Sequence, residues 1–172
     1  MPTLRVSVLV SLTLLLAIPA SASATTLLRA NSIGPLSMGM TRADAVATGW
    51  IAGKQLGCEL AGPNRGTTYR FTGPKAPSGL VGTVDFSKAG RLVNISTSRG
   101  ARTAVGVVVN VSTVKQMVAK YRNAGYKATA RFDDVFQGTF VNISKNGKLK
   151  FQGFADKSVI GALAVPNLPL CE

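Results

Sequence analysis

Val84-Asp85-Phe86-Ser87-Lys88-Ala89-Gly90-Arg91-Leu92 returns downstream as Val141-Asn142-Ile143-Ser144-Lys145-Asn146-Gly147-Lys148-Leu149. Val, Ser, Lys, Gly and Leu recur at the same offset, and Lys148 answers Arg91. Both stretches read as strand, tight turn, strand. Gly90 and Gly147 supply the left-handed residue a short hairpin needs, and Asn146-Gly147 is a strong hairpin signal. A stretch stated twice predicts a doubled unit.

Working outward, Leu80 to Phe86 and Arg91 to Thr97 form the first predicted hairpin. Val135 to Ser144 and Lys148 to Phe154 form the second. Thr41 reads as the N-cap of a short helix, with Asp44 three residues on. Ser112 reads as the cap of a second helix. Val114, Met117, Val118 and Tyr121 fall on one face of it at helical period, and Gly125 ends it. Thr25 to Asn31 reads as a leader or first strand. Lys54 to Leu60, Thr67 to Thr72, Thr103 to Val109, Tyr126 to Phe132 and Ser158 to Val165 read as further strands, and residues 61–66 and 73–79 as loops. The expected fold class is α+β: two tandem helix-plus-antiparallel-meander repeats, over about 33–98 and 103–165, packed as one domain.

The first residues read as an export signal. Arg5 precedes an apolar run from Val6 to Ile18, then Pro19 and Ala20-Ser21-Ala22-Ser23-Ala24. Ala22 and Ala24 fit an A-x-A site, which predicts cleavage after Ala24 and a secreted single domain over 25–172. An uncleaved anchor would want a run of about 20 apolar residues. No later segment is long and apolar enough to span a bilayer, and no Cys follows the run to carry a lipid.

The chain holds 20 Lys and Arg against 7 Asp and Glu, for a net charge of +13. Loss of Arg5 leaves about +12 on the mature chain, a surface that attracts polyanions. The basic residues are spread, without the runs or interleaved aromatics of specific nucleic-acid binders. The partner classes that remain are an extracellular protein or an anionic envelope polymer. Lys88, Arg91, Lys145 and Lys148 flank the repeated turns, either as solvated charges or as a ligand contact shared by both copies. Cys58 and Cys171 are the only cysteines. In an oxidising compartment they are expected to pair, stabilising the fold by about 4–5 kcal/mol on loop entropy.

The chemistry is narrow. The chain has no His, which removes the usual general base and the commonest zinc and iron ligand. No cofactor or metal site is expected. Asp44, Glu59, Asp85, Asp133, Asp134, Asp156 and Glu172 are the only carboxylates. Glu59 with Asp85 is a conceivable glycosidase pair that no motif supports. Ser112-Thr113-Val114-Lys115 has Ser-x-x-Lys spacing, but the companion Ser-Asp-Asn and Lys-Thr-Gly motifs are absent. No catalytic residue is assigned. For binding, Trp50 is either core or an interface anchor. Tyr69 and Arg70 on one strand, and Phe132 with Phe136, alternate in a way that can line a sheet face.

Ile33-Gly34-Pro35-Leu36-Ser37-Met38-Gly39-Met40-Thr41-Arg42-Ala43-Asp44-Ala45 resembles the opening of a family of small secreted actinobacterial proteins with an IGPLxxGMT motif. Thr103 to Val114 resembles the family's second phrase, with Asn110 where Gly is usual. The resemblance implies a fold similar to small bacterial envelope lipoproteins and to a secreted β-lactamase inhibitor protein. It therefore implies a bacterial binding domain rather than an enzyme, and it carries over no functional residues. The reading that follows is a secreted, monomeric, non-catalytic binding module. It would be protein-binding or inhibitor-like, through an open sheet face and loops 61–66 and 73–79. The alternative is a basic protein held to the envelope by charge, and a hydrolase with an unrecognised carboxylate site stands third.

Overall fold

The computed structural model of the chain describes residues 25–57 and 66–169. The expected leader, most of loop 61–66, Glu59 and the expected Cys58–Cys171 pair lie outside the described residues.

Among the described residues, twelve strands and two helices follow in the order β1 (Thr26–Arg29), β2 (Ser32–Ile33), β3 (Leu36–Ser37), α1 (Arg42–Ala47), β4 (Ala52–Leu56), β5 (Thr67–Arg70), β6 (Val81–Phe86), β7 (Leu92–Arg99), β8 (Ala101–Thr103), α2 (Val114–Asn123), β9 (Lys127–Asp133), β10 (Gly138–Lys145), β11 (Lys148–Ala155) and β12 (Ala162–Val165). A small sheet runs β3-β2-β1-β8, and a large one runs β4-β5-β6-β7-β12-β11-β10-β9. The large sheet is antiparallel throughout. Its halves join where β12 pairs β7, with Leu163 opposite Thr97 and Val165 opposite Ile95. The strands follow from alternation. Along β11, Phe151, Gly153 and Ala155 are buried, while Lys148 is exposed and Lys150, Gln152 and Phe154 are half-exposed.

The α+β class with tandem helix-plus-meander repeats is corrected by this architecture. The structure is 48% strand and 12% helical, with two sheets of four and eight strands. The two helices are not equivalent layers. α1 is six residues long and buries only Ala45. α2 is ten residues long, buries Met117 and Tyr121, and packs on β9 and β10. The stretch expected as a strand from Thr103 to Val109 turns instead. Gly106 has φ +75°, and its N–H donates to the Thr103 carbonyl at 2.9 Å. β8 leaves to pair in parallel with β1, Thr26 opposite Ala101 and Leu28 opposite Thr103. That pairing buries Leu28 and Ala101, which a second free meander would leave wet.

The repeated words also fold differently. In the first hairpin, Gly90 N–H donates to Ser87 O at 2.8 Å, giving a three-residue loop that closes on Gly90 at φ +72°. In the second, Lys145 pairs Lys148 across Asn146-Gly147, at φ +52° and +73°. Those angles are the two-residue turn with both residues left-handed. One short side chain accounts for the difference: Ala89 cannot take the positive φ that Asn146 takes cheaply.

The cap of α2 is Thr113, not Ser112. Thr113 Oγ1 accepts from Gln116 N at 3.2 Å, and Gln116 Oε1 accepts from Thr113 N at 2.9 Å, a reciprocal capping box. Ser112 is buried, and its Oγ accepts from Val108 N.

The core lies between one face of the large sheet and a cover made of α2 and the small sheet. Under α2, Tyr121 packs against Tyr126 and Phe151, with ring centroids 5.3 Å away in each case. Tyr121 is 1% exposed and its hydroxyl completes no hydrogen bond. Burial pushes its ionisation upward. The Thr103 hydroxyl nearby offsets this in part, and Tyr126 adds to it. Tyr121→Phe removes an unpaired buried hydroxyl and is expected to stabilise the protein by about 1 kcal/mol. Below the ordinary tyrosine value of 10.0, folded and unfolded chains both hold this proton. Above it the unfolded chain ionises first, so stability falls as pH rises. Urea denaturation across that range should show the fall in the parent, and a smaller one in Tyr121→Phe. A parent-like alkaline fall in the variant counts against the assignment.

Candidate functional site

The large sheet has a second face that neither helix covers. Alternation puts Thr68 and Arg70, Thr83 and Asp85, and Asn94 and Ser96 on it from β5, β6 and β7. From the other half come Gln152 and Phe154, Asn142 and Phe140, and Arg131. The middle of this face is a polar ladder. Thr68 Oγ1 donates to Asp85 Oδ1 at 2.6 Å, and Asn94 Nδ2 donates to Asp85 Oδ2 at 3.1 Å. Thr83 and Ser96 share a hydrogen bond of 2.8 Å, and Gln152 Nε2 donates to Asn142 Oδ1 at 2.8 Å. Leu168 N donates to Gln152 Oε1 at 2.9 Å, so the chain after β12 returns to this face. Such cross-strand pairs hold side chains in fixed positions.

The ladder gives way to aromatics toward β9 and β10. Phe136 meets Phe140 edge-on at 5.7 Å, and Phe140 meets Phe154 at 5.0 Å. Beside them Arg131, Asp133, Phe140, Asn142 and Gln152 line a hollow of about 200 Å³. The β9–β10 connection closes this end. Phe132 is 53% exposed, Val135 79% and Phe136 36%. Large apolar groups this exposed are normally tolerated singly, not three in five residues. Phe132 lies near the end of β9, and the turn that carries Val135 and Phe136 is fixed from beneath. Asp133 Oδ1 accepts from Val135 N at 3.0 Å and from Phe136 N at 3.2 Å. The local reason is an Asx turn, in which a short carboxylate satisfies the N–H groups two and three residues on.

The residues singled out from sequence divide by location. Tyr69 is in the core, 5.6 Å from Phe86 in an edge-to-face pair. Trp50 is half-buried, and its six-membered ring lies directly against Gly34, a residue of the β2–β3 turn at φ +51°. Its ring is committed to packing, and a methyl at Gly34 would overlap it. Arg70 is exposed on the open face. Because β7 and β11 both run antiparallel to β12, the two repeated turns sit at the same end of the large sheet. That end gathers Lys88, Arg91, Lys145 and Lys148, all exposed. Their contacts differ, however. Arg91 Nη1 donates to Gly39 O at 3.2 Å, and Lys145 Nζ lies 4.8 Å above the Tyr126 ring. Within each repeated pair, only Arg91 and Lys145 have these contacts among the described residues, so the two turns do not present their charges alike. The Phe132–Phe136 tip is at the opposite end of the sheet.

Among the described residues, the carboxylates of β6 and β9 lie far apart. Asp85 on β6 and Asp133 on β9 are five strand spacings apart in the sheet order, or about 24 Å. A glycosidase pair needs about 5–10 Å. Glu59 lies outside the described residues. Among the described residues, no three or more His, Cys, Asp or Glu group together to hold a metal ion. Also among them, no helix is long and apolar enough to cross a membrane.

Sequence reasoning missed Val135, and it missed the role of Asp133. The signal available was Asp133-Asp134 followed at once by Val135-Phe136: a turn residue before apolar ones. The chain matches no family model, no curated protein and no solved structure.

Proposed function

We propose that the protein is a secreted, non-catalytic module that binds an extracellular protein, in the manner of an inhibitor. The binding surface is the face of the large sheet that neither helix covers, together with the β9–β10 tip. One observation carries this reading: Val135 and Phe136 stand exposed on a turn whose N–H groups Asp133 holds, beside the exposed Phe132 near the end of β9. Apolar side chains fixed in advance lose little entropy on docking, so their burial appears as affinity. The adjoining polar ladder supplies satisfied groups for a rim. The resemblance to the small secreted actinobacterial family supports the same reading.

A second reading rests on the other end of the sheet, where Lys88, Lys145 and Lys148 gather on a chain of net charge +13. There the partner would be an anionic envelope polymer. Capture from culture supernatant and envelope extract, at low and high salt, separates the two. With the parent protein, a bound protein should persist at high salt, because apolar anchoring is not screened. Val135→Asp/Phe136→Asp should weaken it by about thirtyfold or more, a loss of the size seen at interface anchors. A capture that vanishes at high salt and ignores the tip variant overturns the protein-binding reading in favour of the polymer.

A further inference from the structure

Among the described residues no strand pairs with the outer edge of β9, and we infer that this edge receives an extended acidic segment of the partner as a ninth strand of the large sheet. This rests on the protein-binding reading above and names the partner's chemistry.

Two edges bound the large sheet among the described residues, β4 and β9. β4 is a poor template. Its register with β5 shifts between Ala52 and Gln55, and Gly53 sits at φ +67°. Bulges of this kind are how sheets blunt an edge against pairing. β9 has no bulge, and the charges that guard it, Lys127 and Arg131, are both positive, so they repel a basic strand and not an acidic one. β9 pairs β10 in unbroken register over seven residues, from Lys127 opposite Ser144 to Asp133 opposite Gly138.

The direction of its outer groups can be read from one side chain. Arg122 Nε and Nη2 both donate to Ala128 O, at 3.1 and 2.9 Å. The Ala128 carbonyl therefore points away from β10, toward α2. With the two-residue period of an antiparallel ladder, the N–H and C=O groups of Ala130 and Phe132 point outward too. Arg122 occupies the outer edge at Ala128 and leaves the stretch from Thr129 to Asp133 free. That is room for a strand of about five residues.

Beside this edge lies a groove of about 720 Å³ between α2, β9 and the β11–β12 connection. Val118, Ala119 and Ala130 make its floor, and Lys115, Arg122 and Lys157 its rim, with no carboxylate among its lining residues. The other side of the edge carries Lys127 and Arg131, both exposed. A strand added here turns alternate side chains toward the groove, past Ala130, and over the open face. Both rows meet cations. The chain's own charge of +13 opposes a second copy in the same place, which leaves an acidic segment as the complementary occupant. Strand addition uses backbone hydrogen bonds for affinity and side-chain pockets for choice, as this edge and groove allow.

The test uses a capped seven-residue peptide of alternating Val and Glu, read by titration and by amide exchange at single residues. Binding should slow exchange at Ala130 and Phe132 by about tenfold or more, and should weaken with salt. The same peptide N-methylated at alternate residues cannot donate to the edge and should lose at least about tenfold in affinity. Ala130→Pro removes an outward N–H that β10 does not use, and should lose a similar factor. Lys115→Glu/Lys157→Glu should weaken binding without changing the exchange pattern in the free protein.

Several results overturn the inference: no binding up to about 1 mM, equal binding of the N-methylated peptide, or equal binding of a Val/Lys peptide. A dimer in sedimentation that protects the same two amides makes the occupant a second copy and overturns the acidic partner. Capture of a protein by the tip and binding of the peptide to the edge are read in separate experiments, the latter on the parent tip, so the two proposals fail separately.

Discussion

Gly66→Ala is expected to destabilise the protein by about 3 kcal/mol or more, lowering Tm by roughly 10 °C. Gly66 sits where the return from β4 to β5 touches the end of β6. Its carbonyl accepts from Gly57 N at 3.0 Å. A methyl built on Gly66 would overlap the Phe86 carbonyl oxygen, and would lie 2.6 Å from the Phe86 carbonyl carbon and 2.8 Å from that of Ser87. All three atoms are backbone. Relief requires β5 to move off β6, which breaks the pairing of Thr67 with Phe86. Gly153→Ala is the informative contrast. Its methyl would meet Met117 Sδ at 2.9 Å and Cε at 3.1 Å, the far end of a flexible side chain. Met repacks readily, so the loss there should be about 1 kcal/mol. Urea denaturation of both variants checks the pair. Similar losses for the two would mean that β5 and β6 do not approach this closely.

Phe86→Ala should cost about 3–5 kcal/mol, while Phe132→Ala should leave stability within about 0.5 kcal/mol of the parent. Phe86 is 2% exposed and shares an edge-to-face contact with Tyr69. Truncation leaves a cavity that β5, β6 and β7 cannot close, because their backbones are tied by the ladder. Phe132 leaves no cavity, since half of it already faces water. If the protein-binding reading holds, Phe132→Ala instead weakens capture of the target by about tenfold. Denaturation and capture on both variants therefore sort the aromatics into those that hold the fold and those that face outward. A large stability loss for Phe132→Ala would place it in the core and remove one of the three anchors.

The contrast shows how far the candidate site could be read in advance. Phe132 and Phe136 were visible as an alternating pair, and the cations around the repeated turns were visible as a group. For Trp50 the residues left core and interface both open, and Tyr69 read as able to line a sheet face; in the structure both pack. Nothing local separates these cases. Whether an aromatic is wet depends on what arrives from elsewhere in the chain: Gly34 against Trp50, and Phe86 against Tyr69. The open edge of β9 was illegible for the same reason. A strand is an edge only relative to the strands that fail to join it.

The residues alone determined the short-range features. Gly90, Asn146 and Gly147 could only be turns, because their left-handed angles are cheap for Gly and Asn and costly for others. Thr41 and Asp44, and the face from Val114 to Tyr121, fixed two helices within a residue or two. Tertiary structure decided the rest: that β7 meets β12, and that β8 turns aside to lie parallel to β1. Periodicity tells each segment which side is apolar. Which distant segment covers that side is settled by the total apolar surface buried, a property of the whole chain that no window of sequence contains.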